Sequence, residues 1–416
     1  MHTPPHPHSP PALPPPPPPP GALTITMPLL NLASVSAHTD RVWQCAPHPT
    51  LPLVATASGD KSSQIISLLK YTTLSTIDGG HKRSVRSVAW KPNTRGESVL
   101  ATGSFDATAG IWRRYEDDAG ATTGGEYDDE EDEEWRFAVV LDGHESEIKS
   151  VAWSAGGTFL ATCSRDKSVW VWEEMDDDNF ETVAVLQEHT QDVKCVTWHP
   201  EEALLASASY DDTVRLYRED LDDWVCCTLL NGHQSTVWCV VFEPLSAPNY
   251  EAGRNARLAS CSDDKTIRIW SRIGQSGVAS GKSSDALPSI LRGAPVEEDW
   301  KCTAVLPNAH ERSIYSISWS PRTGRIVSCG GDGKIVVYEE DKEAAATTTE
   351  EDGKDEGTEG GKAWKVIAEF VGAHGVYEIN SVTWSKRYDK DKRGEDDEIV
   401  ISAGDDGEVK FWALVD

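Results

Sequence analysis

The sequence of 416 residues has little positive charge: 39 Lys and Arg stand against 68 Asp and Glu, a formal net charge of −29. Phosphate groups are bound by clustered Lys and Arg, so this balance argues against nucleic acids and anionic membranes as partners. No apolar run approaches the roughly 20 residues that span a bilayer, and residues 1–20 lack the apolar core of a secretion signal. Nine cysteines without such a signal are typical of reduced intracellular thiols. The sequence therefore predicts a soluble intracellular protein.

Motifs that hold cofactors or metals are also missing from the sequence. There is no Cys-x-x-Cys pair, and the adjacent Cys226 and Cys227 would point to opposite faces of a strand. The stretch Gly331–Lys334 is a turn of the repeat described below, not a phosphate-binding loop. We therefore expect neither a metal nor a cofactor. Five cysteines instead occupy repeat positions that other repeats fill with Ser, Ala or Gly: Cys163, Cys195, Cys239, Cys261 and Cys329.

The negative charge is concentrated in two segments. Residues 116–134 hold eleven acidic residues and no basic one, and residues 339–359 hold ten against two Lys, so these segments account for −19 of the −29. Both are poor in apolar residues, which favours solvated loops. The sequence predicts a Pro-rich disordered tail at 1–26, with Met27 as an alternative start. One domain at 27–416 follows, with long disordered insertions near 116–134, 271–299, 339–362 and 386–398.

One layout recurs seven times along the chain. Each unit has a His, a short alternating apolar run, and a turn in which Ser or Thr stands four residues before an Asp. The His residues are His38, His81, His144, His189, His233, His310 and His374. The Ser or Thr residues are Thr56, Thr102, Thr162, Ser207, Ser260, Ser328 and Ser402. The turn Asp residues are Asp60, Asp106, Asp166, Asp211, Asp264, Asp332 and Asp406. Six residues after each Asp come Ile66, Trp112, Trp172, Tyr217, Trp270, Tyr338 and Trp412.

Between these residues the chain consists of short β-branched segments such as Val151–Trp153 and Phe159–Cys163, separated by Gly, Asp and Asn turns. This pattern is typical of antiparallel four-stranded meanders. The units resemble the WD-repeat family, and the resemblance implies an all-β fold, a seven-bladed β-propeller from about Leu29 to Asp416 with one four-stranded sheet per blade. The last unit ends one strand short, so a strand near Leu30–Ser36 is predicted to complete the seventh blade.

The His, Ser or Thr, Asp and indole of each unit also suggest a hydrolase site. Because the set recurs seven times and an enzyme needs one site, we favour a structural role and no enzyme activity. In the WD-repeat family these groups form a hydrogen-bond network within each blade. The resemblance assigns that role to His144, Thr162, Asp166, Trp172, His189, Ser207, Asp211, Tyr217, His233, Ser260, Asp264 and Trp270. Ile66, Tyr217 and Tyr338 replace the indole, which predicts weaker networks in their units.

Two sets of residues should surround the mouth of the central channel, because the His loops and Asp turns of a propeller lie on one face. The residues just before the turn Asp are Gly59, Phe105, Arg165, Tyr210, Asp263, Gly331 and Asp405. The residues five positions after the His, in units one to six, are Trp43, Arg86, Lys149, Lys194, Trp238 and Tyr315. We define Arg86, Lys149, Arg165 and Lys194 as the basic sector. Aromatic residues flank this sector, and the combination predicts a docking site for an acidic peptide. The alternative is that these cations are merely solvated on strand rims.

Trp170 stands where other repeats carry Gly, Arg, Val or Lys. The sequence leaves two alternatives for its indole: exposure on the side of a blade, or packing under the acidic segment Asp176–Asp178.

Several segments resemble one branch of the family, the WD-repeat protein of the cytosolic iron–sulfur protein assembly (CIA) machinery in its fungal form. They include Gly103–Thr108, Ala161–Glu173, His189–Lys194, Ala206–Val214, Asp222–Cys226 and Gly375–Asn380. The resemblance implies a non-catalytic scaffold that helps to deliver iron–sulfur clusters to extramitochondrial apoproteins. Arg165 matches the family's exposed functional arginine. The Pro-rich tail and the long insertions depart from the family's pattern.

The same resemblance implies partners and a location. The partners are a small cluster-assembly protein and a large helical-repeat adaptor in one targeting complex, an iron-only-hydrogenase-like cluster carrier, and apo iron–sulfur proteins. The location is the cytoplasm and the nucleus. The alternative function is a WD-repeat adaptor of another complex, such as a ubiquitin-ligase substrate receptor.

Overall fold

The computed structural model describes residues 27–115, 134–176, 178–220, 223–247, 255–275, 297–341 and 364–415. Within these ranges every regular element is a β-strand, and the 28 strands form seven antiparallel four-stranded sheets. The sheets are the blades of one ring, so the predicted seven-bladed propeller is confirmed. In the described part of the chain, no helix has the length and apolarity needed to cross a membrane.

Each of the first four blades is a meander of four consecutive strands. Blade one comprises β2 Val42–Pro47, β3 Leu53–Ser58, β4 Ser63–Ser67 and β5 Thr72–Ile77. Blade two comprises β6 Val85–Trp90, β7 Glu97–Ser104, β8 Thr108–Tyr115 and β9 Arg136–Asp142. Blade three comprises β10 Ile148–Trp153, β11 Phe159–Ser164, β12 Val169–Asp176 and β13 Asn179–Leu186. Blade four comprises β14 Val193–Trp198, β15 Leu204–Ser209, β16 Thr213–Asp220 and β17 Asp223–Asn231.

The last three blades contain the remaining strands. Blade five comprises β18 Val237–Phe242, β19 Arg257–Ser262, β20 Ile267–Gln275 and β21 Glu298–Val305. Blade six comprises β22 Ile314–Trp319, β23 Ile326–Gly330, β24 Lys334–Glu340 and β25 Trp364–Val371. Blade seven comprises β26 Ile379–Lys386, β27 Glu398–Gly404, β28 Glu408–Leu414 and, from the other end of the chain, β1 Leu29–Ser36.

The ring closes where β1 pairs with β28. The pairing is antiparallel and runs from Leu29 opposite Leu414 to Ser36 opposite Glu408. This pairing covers an edge that β28 would otherwise expose, and it ties the two ends of the described chain into one sheet. The predicted closing strand near Leu30–Ser36 is therefore confirmed.

The core lies between neighbouring blades. Ala55 and Ile65 of blade one pack in one cluster with Val88, Trp90 and Leu100 of blade two, and each further pair of blades repeats the arrangement. Full burial of one such large apolar side chain contributes about 1.5–3 kcal/mol. The outer strands are half-exposed, as in β5. A blade thus buries its apolar faces only against its neighbours, which keeps the ring rigid.

The predicted insertions have different outcomes. The tail at 1–26 and residues 116–133, 276–296 and 342–363 lie outside the described residues. The predicted loop starts at 271 and 339 were too early, because β20 and β24 extend into these segments.

The segment at 386–398, which the sequence predicted as a disordered loop insertion, is a loop between two strands of blade seven. Lys386 ends β26 and Glu398 begins β27, and the guanidinium of Arg387 pairs with Asp389 at 3.0 Å and with Asp397 at 3.4 Å. The mixed charges of this segment suggested a solvated loop. Oppositely charged residues within the segment instead pair with one another, and these pairs give it a defined conformation.

Candidate functional site

The repeated polar residues meet inside each blade. In blade three, His144 Nδ1 lies 2.8 Å from Asp166 and His144 Nε2 lies 2.8 Å from the hydroxyl of Thr162. The indole N–H of Trp172 donates to the same hydroxyl at 3.0 Å. The His–Asp and His–hydroxyl bonds recur for His189 with Asp211 and Ser207 and for His233 with Asp264 and Ser260, and Trp270 also donates to Ser260. The hydroxyl is already engaged by two partners, so the geometry suits a turn-fixing network.

Hydrogen bonds control the ionisation of the turn Asp residues. Burial works to raise the pKa of Asp166, but the hydrogen bonds from His144 and Ser168 outweigh it and hold the pKa well below its usual range. The carboxylate is therefore charged at neutral pH and accepts bonds from its own turn, including the backbone N–H of Ser168 at 2.9 Å.

The positions without an indole are filled differently. Ile66 in blade one is fully buried and its side chain offers no N–H. Within the described residues, the Thr56 hydroxyl bonds His38 and the backbone of Gln64 and no indole. Tyr217 and Tyr338 are buried at the same place in blades four and six. That these three networks are weaker stays a prediction.

A β-bulge shapes the channel mouth. In the first strand of every blade the register shifts by one residue, and a bulged residue leaves the ladder so that its side chain is redirected. The bulged residues are Trp43, Arg86, Lys149, Lys194, Trp238, Tyr315 and Asn380. All seven line one cavity of about 360 Å³ at the central channel.

The sequence prediction missed Asn380. Its loop has four residues between His374 and the first strand, where the other units have three, so a count of five from the His ends on the buried Ile379. Counting from the apolar residue that begins each first strand would have found Asn380. Its amide N–H donates to Asp405 at 2.8 Å and to the carbonyl of Val42 at 3.1 Å.

Three members of the basic sector converge on this cavity. The guanidinium carbon of Arg86 lies 5.0 Å from the ring centroid of Trp43, and Lys149 Nζ lies 4.2 Å from that of Phe105. Among the described residues neither Arg86 nor Lys149 forms an ion pair. An aromatic face attracts a cation without neutralising it, so both charges remain available to a ligand.

Lys194 extends the same arrangement towards blade five. Its Nζ lies 5.1 Å from the rings of both Tyr210 and Trp238, and it also contacts Asp192 at 3.3 Å. Half of the mouth is thus lined by alternating cations and aromatic rings.

Burial changes the ionisation of these cations. It lowers the pKa of Lys149 to about 8, with Lys194 and Arg86 acting in the same direction and Glu147 opposing them. Burial also lowers the pKa of Arg86, although a guanidinium stays charged at neutral pH. The negative charge of a bound carboxylate would offset the cost of desolvation and reduce the like-charge repulsion between these cations.

Arg165 lies apart from the other three members, on the rim of the same face. Its side chain is 59% exposed and contacts Glu147 at 3.4 Å. The similarly exposed Arg83 shares that carboxylate at 3.2 Å. Glu147 has a pKa of about 2: burial would raise it, but hydrogen bonds from Ser146 and its own backbone, with Lys149 and Arg165 nearby, lower it.

The opposite half of the mouth is acidic. The indole N–H of Trp238 donates to Asp263 at 2.5 Å, and the hydroxyl of Tyr315 donates to Glu378 at 3.1 Å. Burial and the charge of Glu378 raise the pKa of Tyr315 to about 12, so the phenol stays protonated. The mouth therefore has a basic half and an acidic half. The residues that stand just before the turn Asp, which include Asp263 and Asp405, indicated only part of the acidic half.

Cysteines form part of the channel wall but not a metal site. Cys195 and Cys239 line the cavity, and their thiols face the backbone carbonyls of Val240 and Ile317 in the next blades at 3.8 Å. All nine cysteines are unpaired. Across the described ranges no three His, Cys, Asp or Glu side chains gather at metal-binding distance.

Trp170 follows neither alternative. Its ring stacks on Trp172 at 5.2 Å and lies 5.2 Å from the ring of His144, and its N–H donates to Ser168 at 3.0 Å. It covers the polar network of blade three from the side.

The sequence model for the family described as "WD domain, G-beta repeat" matches residues 30–66, 71–113, 135–173, 180–218, 224–271 and 300–339. Together with the closed ring, these matches define a WD-repeat β-propeller, whose seventh blade is built from the two ends of the described chain.

Within that class, three similar relatives are fungal proteins named "Probable cytosolic iron-sulfur protein assembly protein 1". The relative from Phaeosphaeria nodorum is 52% identical over 93% of this chain and 95% of its own length. Those from Emericella nidulans and Aspergillus terreus are 51% and 52% identical over 90% of this chain and 94% and 95% of theirs. The chain belongs to this family of WD-repeat cytosolic iron–sulfur protein assembly proteins.

Proposed function

We propose that the chain is a non-catalytic scaffold of cytosolic iron–sulfur protein assembly. The observation that carries the proposal is the identity of about one half to relatives with that name over nine-tenths of both chains. In this role the protein holds partners together while clusters reach apoproteins outside mitochondria. A rigid ring with a charged, aromatic mouth supports such a role, because Arg and aromatic side chains dominate protein interfaces.

The proposed partners are those of the CIA branch. They are a small cluster-assembly protein and a large helical-repeat adaptor in a targeting complex, an iron-only-hydrogenase-like cluster carrier, and apo iron–sulfur proteins. The proposed location is the cytoplasm, with a share in the nucleus to serve nuclear apoproteins.

The basic sector is the proposed docking site for an acidic peptide segment of these partners. Arg86 and Lys149 form no ion pair within the described residues, and the indole N–H of Trp43 beside Arg86 is buried without an acceptor there. An acidic segment would supply the missing acceptors, and Arg165 on the rim would attract it first.

Depletion and rescue test both proposals. We expect depletion to lower the activity of cytosolic 4Fe–4S enzymes and to leave mitochondrial ones unchanged; unchanged cytosolic activity would contradict the function. Arg165→Glu should then fail to restore the activity, with partner binding weakened about tenfold, or about 1.4 kcal/mol. Arg95→Glu, an equal charge reversal in an exposed loop of blade two, should restore it fully. Equal rescue by the two variants would remove the docking site but not the function.

A further inference from the structure

The loop that enters blade seven differs from the six equivalent loops. Each of the other loops places three polar residues between the His and the first strand, as in Thr39–Arg41 or Glu311–Ser313. The loop of blade seven has four, Gly375–Glu378, and its middle residues are Val376 and Tyr377. We define Gly375–Glu378 as the blade-seven loop.

The side chains at its tip are exposed although its backbone is held firmly. Val376 is 94% exposed and Tyr377 is 51% exposed. The N–H of Tyr377 donates to the carbonyl of His374 at 3.2 Å, the N–H of Gly375 donates to Gly372 at 2.9 Å, and the carbonyl of Glu378 accepts from Asp405 at 3.0 Å. Gly375 adopts a left-handed φ of 67°, which favours glycine there. The loop thus presents an isopropyl group and a phenol ring to water in a preorganised conformation.

A third exposed apolar side chain lies on the same face. Val371 ends the outer strand of blade six, opposite Lys334 near the Asp turn, and is largely exposed. Val371, Val376 and Tyr377 therefore belong to one edge of the open face, the edge where blades six and seven meet.

The surroundings of this edge are acidic. Glu378, Asp263 and Asp405 all act on Tyr315 and raise its pKa. In the described part of the chain only Asp405 of the three has a cationic partner, Arg41 at 3.6 Å, while Glu378 and Asp263 accept bonds from neutral donors. Glu378 in the loop itself and Asp263 in the turn of blade five, which is linked to Glu378 through Trp238 and Tyr315, therefore have no cationic partner among the described residues.

We propose that the blade-seven loop is a second docking element, which inserts Val376 and Tyr377 into an apolar pocket of a partner protein whose border carries Lys or Arg. The apolar tip supplies the buried contact, and the uncompensated carboxylates select the basic border. The basic sector on the other half of the mouth attracts acidic segments, so the two halves hold partners of opposite charge on one rigid ring. This inference does not depend on which complex the scaffold serves.

Site-specific crosslinking tests the occupant. The full chain carries the photoreactive residue benzoylphenylalanine in place of Tyr377 in fungal cells, and the crosslinked peptides are sequenced. We expect one partner, crosslinked at apolar residues that neighbour Lys or Arg in its fold. The same probe at Leu74, an exposed apolar position on the outer strand of blade one, is the control. Crosslinking at the Leu74 level, to a second copy of this chain, or at a site without basic neighbours overturns the proposal.

Paired variants test the energetics. Val376→Ser with Tyr377→Ser should lower co-purification of the crosslinked partner at least tenfold without changing the melting temperature. Glu311→Ser with Arg312→Ser, in the equivalent loop of blade six, should have no such effect. Arg165→Glu should also leave this partner bound, which separates the loop from the basic sector. Retention of the partner by the blade-seven variant overturns the proposal.

Discussion

The two faces of the ring use arginine in opposite ways. On the face away from the channel mouth, Arg113 is 1% exposed and touches three carboxylates, Glu97 at 2.9 Å, Glu174 at 2.7 Å and Asp178 at 2.8 Å. On the open face, Arg165 is 59% exposed and has one carboxylate at 3.4 Å. The first arginine joins blade two to blade three, and the second is largely free to meet a partner.

Ionisation shows the same difference between the faces. Burial works to lower the pKa of Arg113, but its carboxylates outweigh burial and raise the pKa. Arg86 at the channel mouth is half-buried and has no carboxylate partner among the described residues, and desolvation lowers its pKa. A cation that is buried among its own counter-charges has a structural role, whereas one buried against aromatic rings keeps its charge for a ligand.

Arg113→Ala should have the largest effect of the variants considered below. It leaves the buried Glu174 with only Lys91 as a cationic partner among the described residues and takes a cation from Glu97 and Asp178 as well. Removal of one partner from a buried ion pair costs about 3–5 kcal/mol. Denaturant unfolding of the full chain measures this loss. Arg165→Ala is the control and should change the unfolding free energy by less than about 0.5 kcal/mol. Similar losses for both variants would contradict the assigned difference between the faces.

Asp166→Asn should have an intermediate effect, since it removes a charged acceptor from the network beneath the open face. We expect a loss of about 2 kcal/mol at pH 7, as for other hydrogen bonds to charged groups. The folded pKa of Asp166 lies below its unfolded value of about 3.9. The stability it contributes is therefore present above about pH 4 and is lost as the pH falls through the folded pKa.

Urea unfolding at pH 7 and near pH 3.5 checks this sign. The difference between wild type and Asp166→Asn should shrink at the lower pH, and the exposed Asp176→Asn should show no difference at either. A gap that widens in acid would show that Asp166 is not held ionised by its network.

Lys149 should give the smallest effect, a modest pH dependence of binding at the mouth. With a pKa of about 8, Lys149 is mostly charged at pH 7 and mostly neutral at pH 9. Affinity for a fluorescent peptide of Asp and Glu should fall a few-fold between these values, and Lys149→Arg should abolish the fall because Arg stays charged. Fluorescence anisotropy measures both. The same fall in the Lys149→Arg variant would assign it to another group.

Much of the fold could be predicted because its signals are local. A turn such as Thr162–Asp166 followed by Trp172 needs its residues at fixed spacings, and seven copies made chance implausible. The six bulged residues that the count reached, Arg86 among them, all follow polar loops of three residues, so counting from the His was enough. The four-residue loop of blade seven hid Asn380.

The remaining features depend on contacts between distant segments. Arg113 and Asp178 are 65 residues apart, and their bond exists because blades two and three pack face to face. The segment 386–398 resembles a solvated loop by composition, yet Arg387 finds carboxylates within it and Tyr71 of blade one donates to Asp389. Charge composition alone does not show whether charges will pair or remain in water.

The amino-acid sequence by itself determined the number of blades, the polar network in each and the strand that closes the ring, because these depend on short-range spacing and turn chemistry. Only the tertiary structure decided which cations are neutralised. It separated Arg113, surrounded by carboxylates, from Arg86 and Lys149, which lie over aromatic rings. It also exposed Val376 and Tyr377 beside Glu378, a carboxylate with no cationic partner among the described residues. The physical reason is that the energy of a charge depends on distance and burial, and both are set by how the seven sheets pack around the channel.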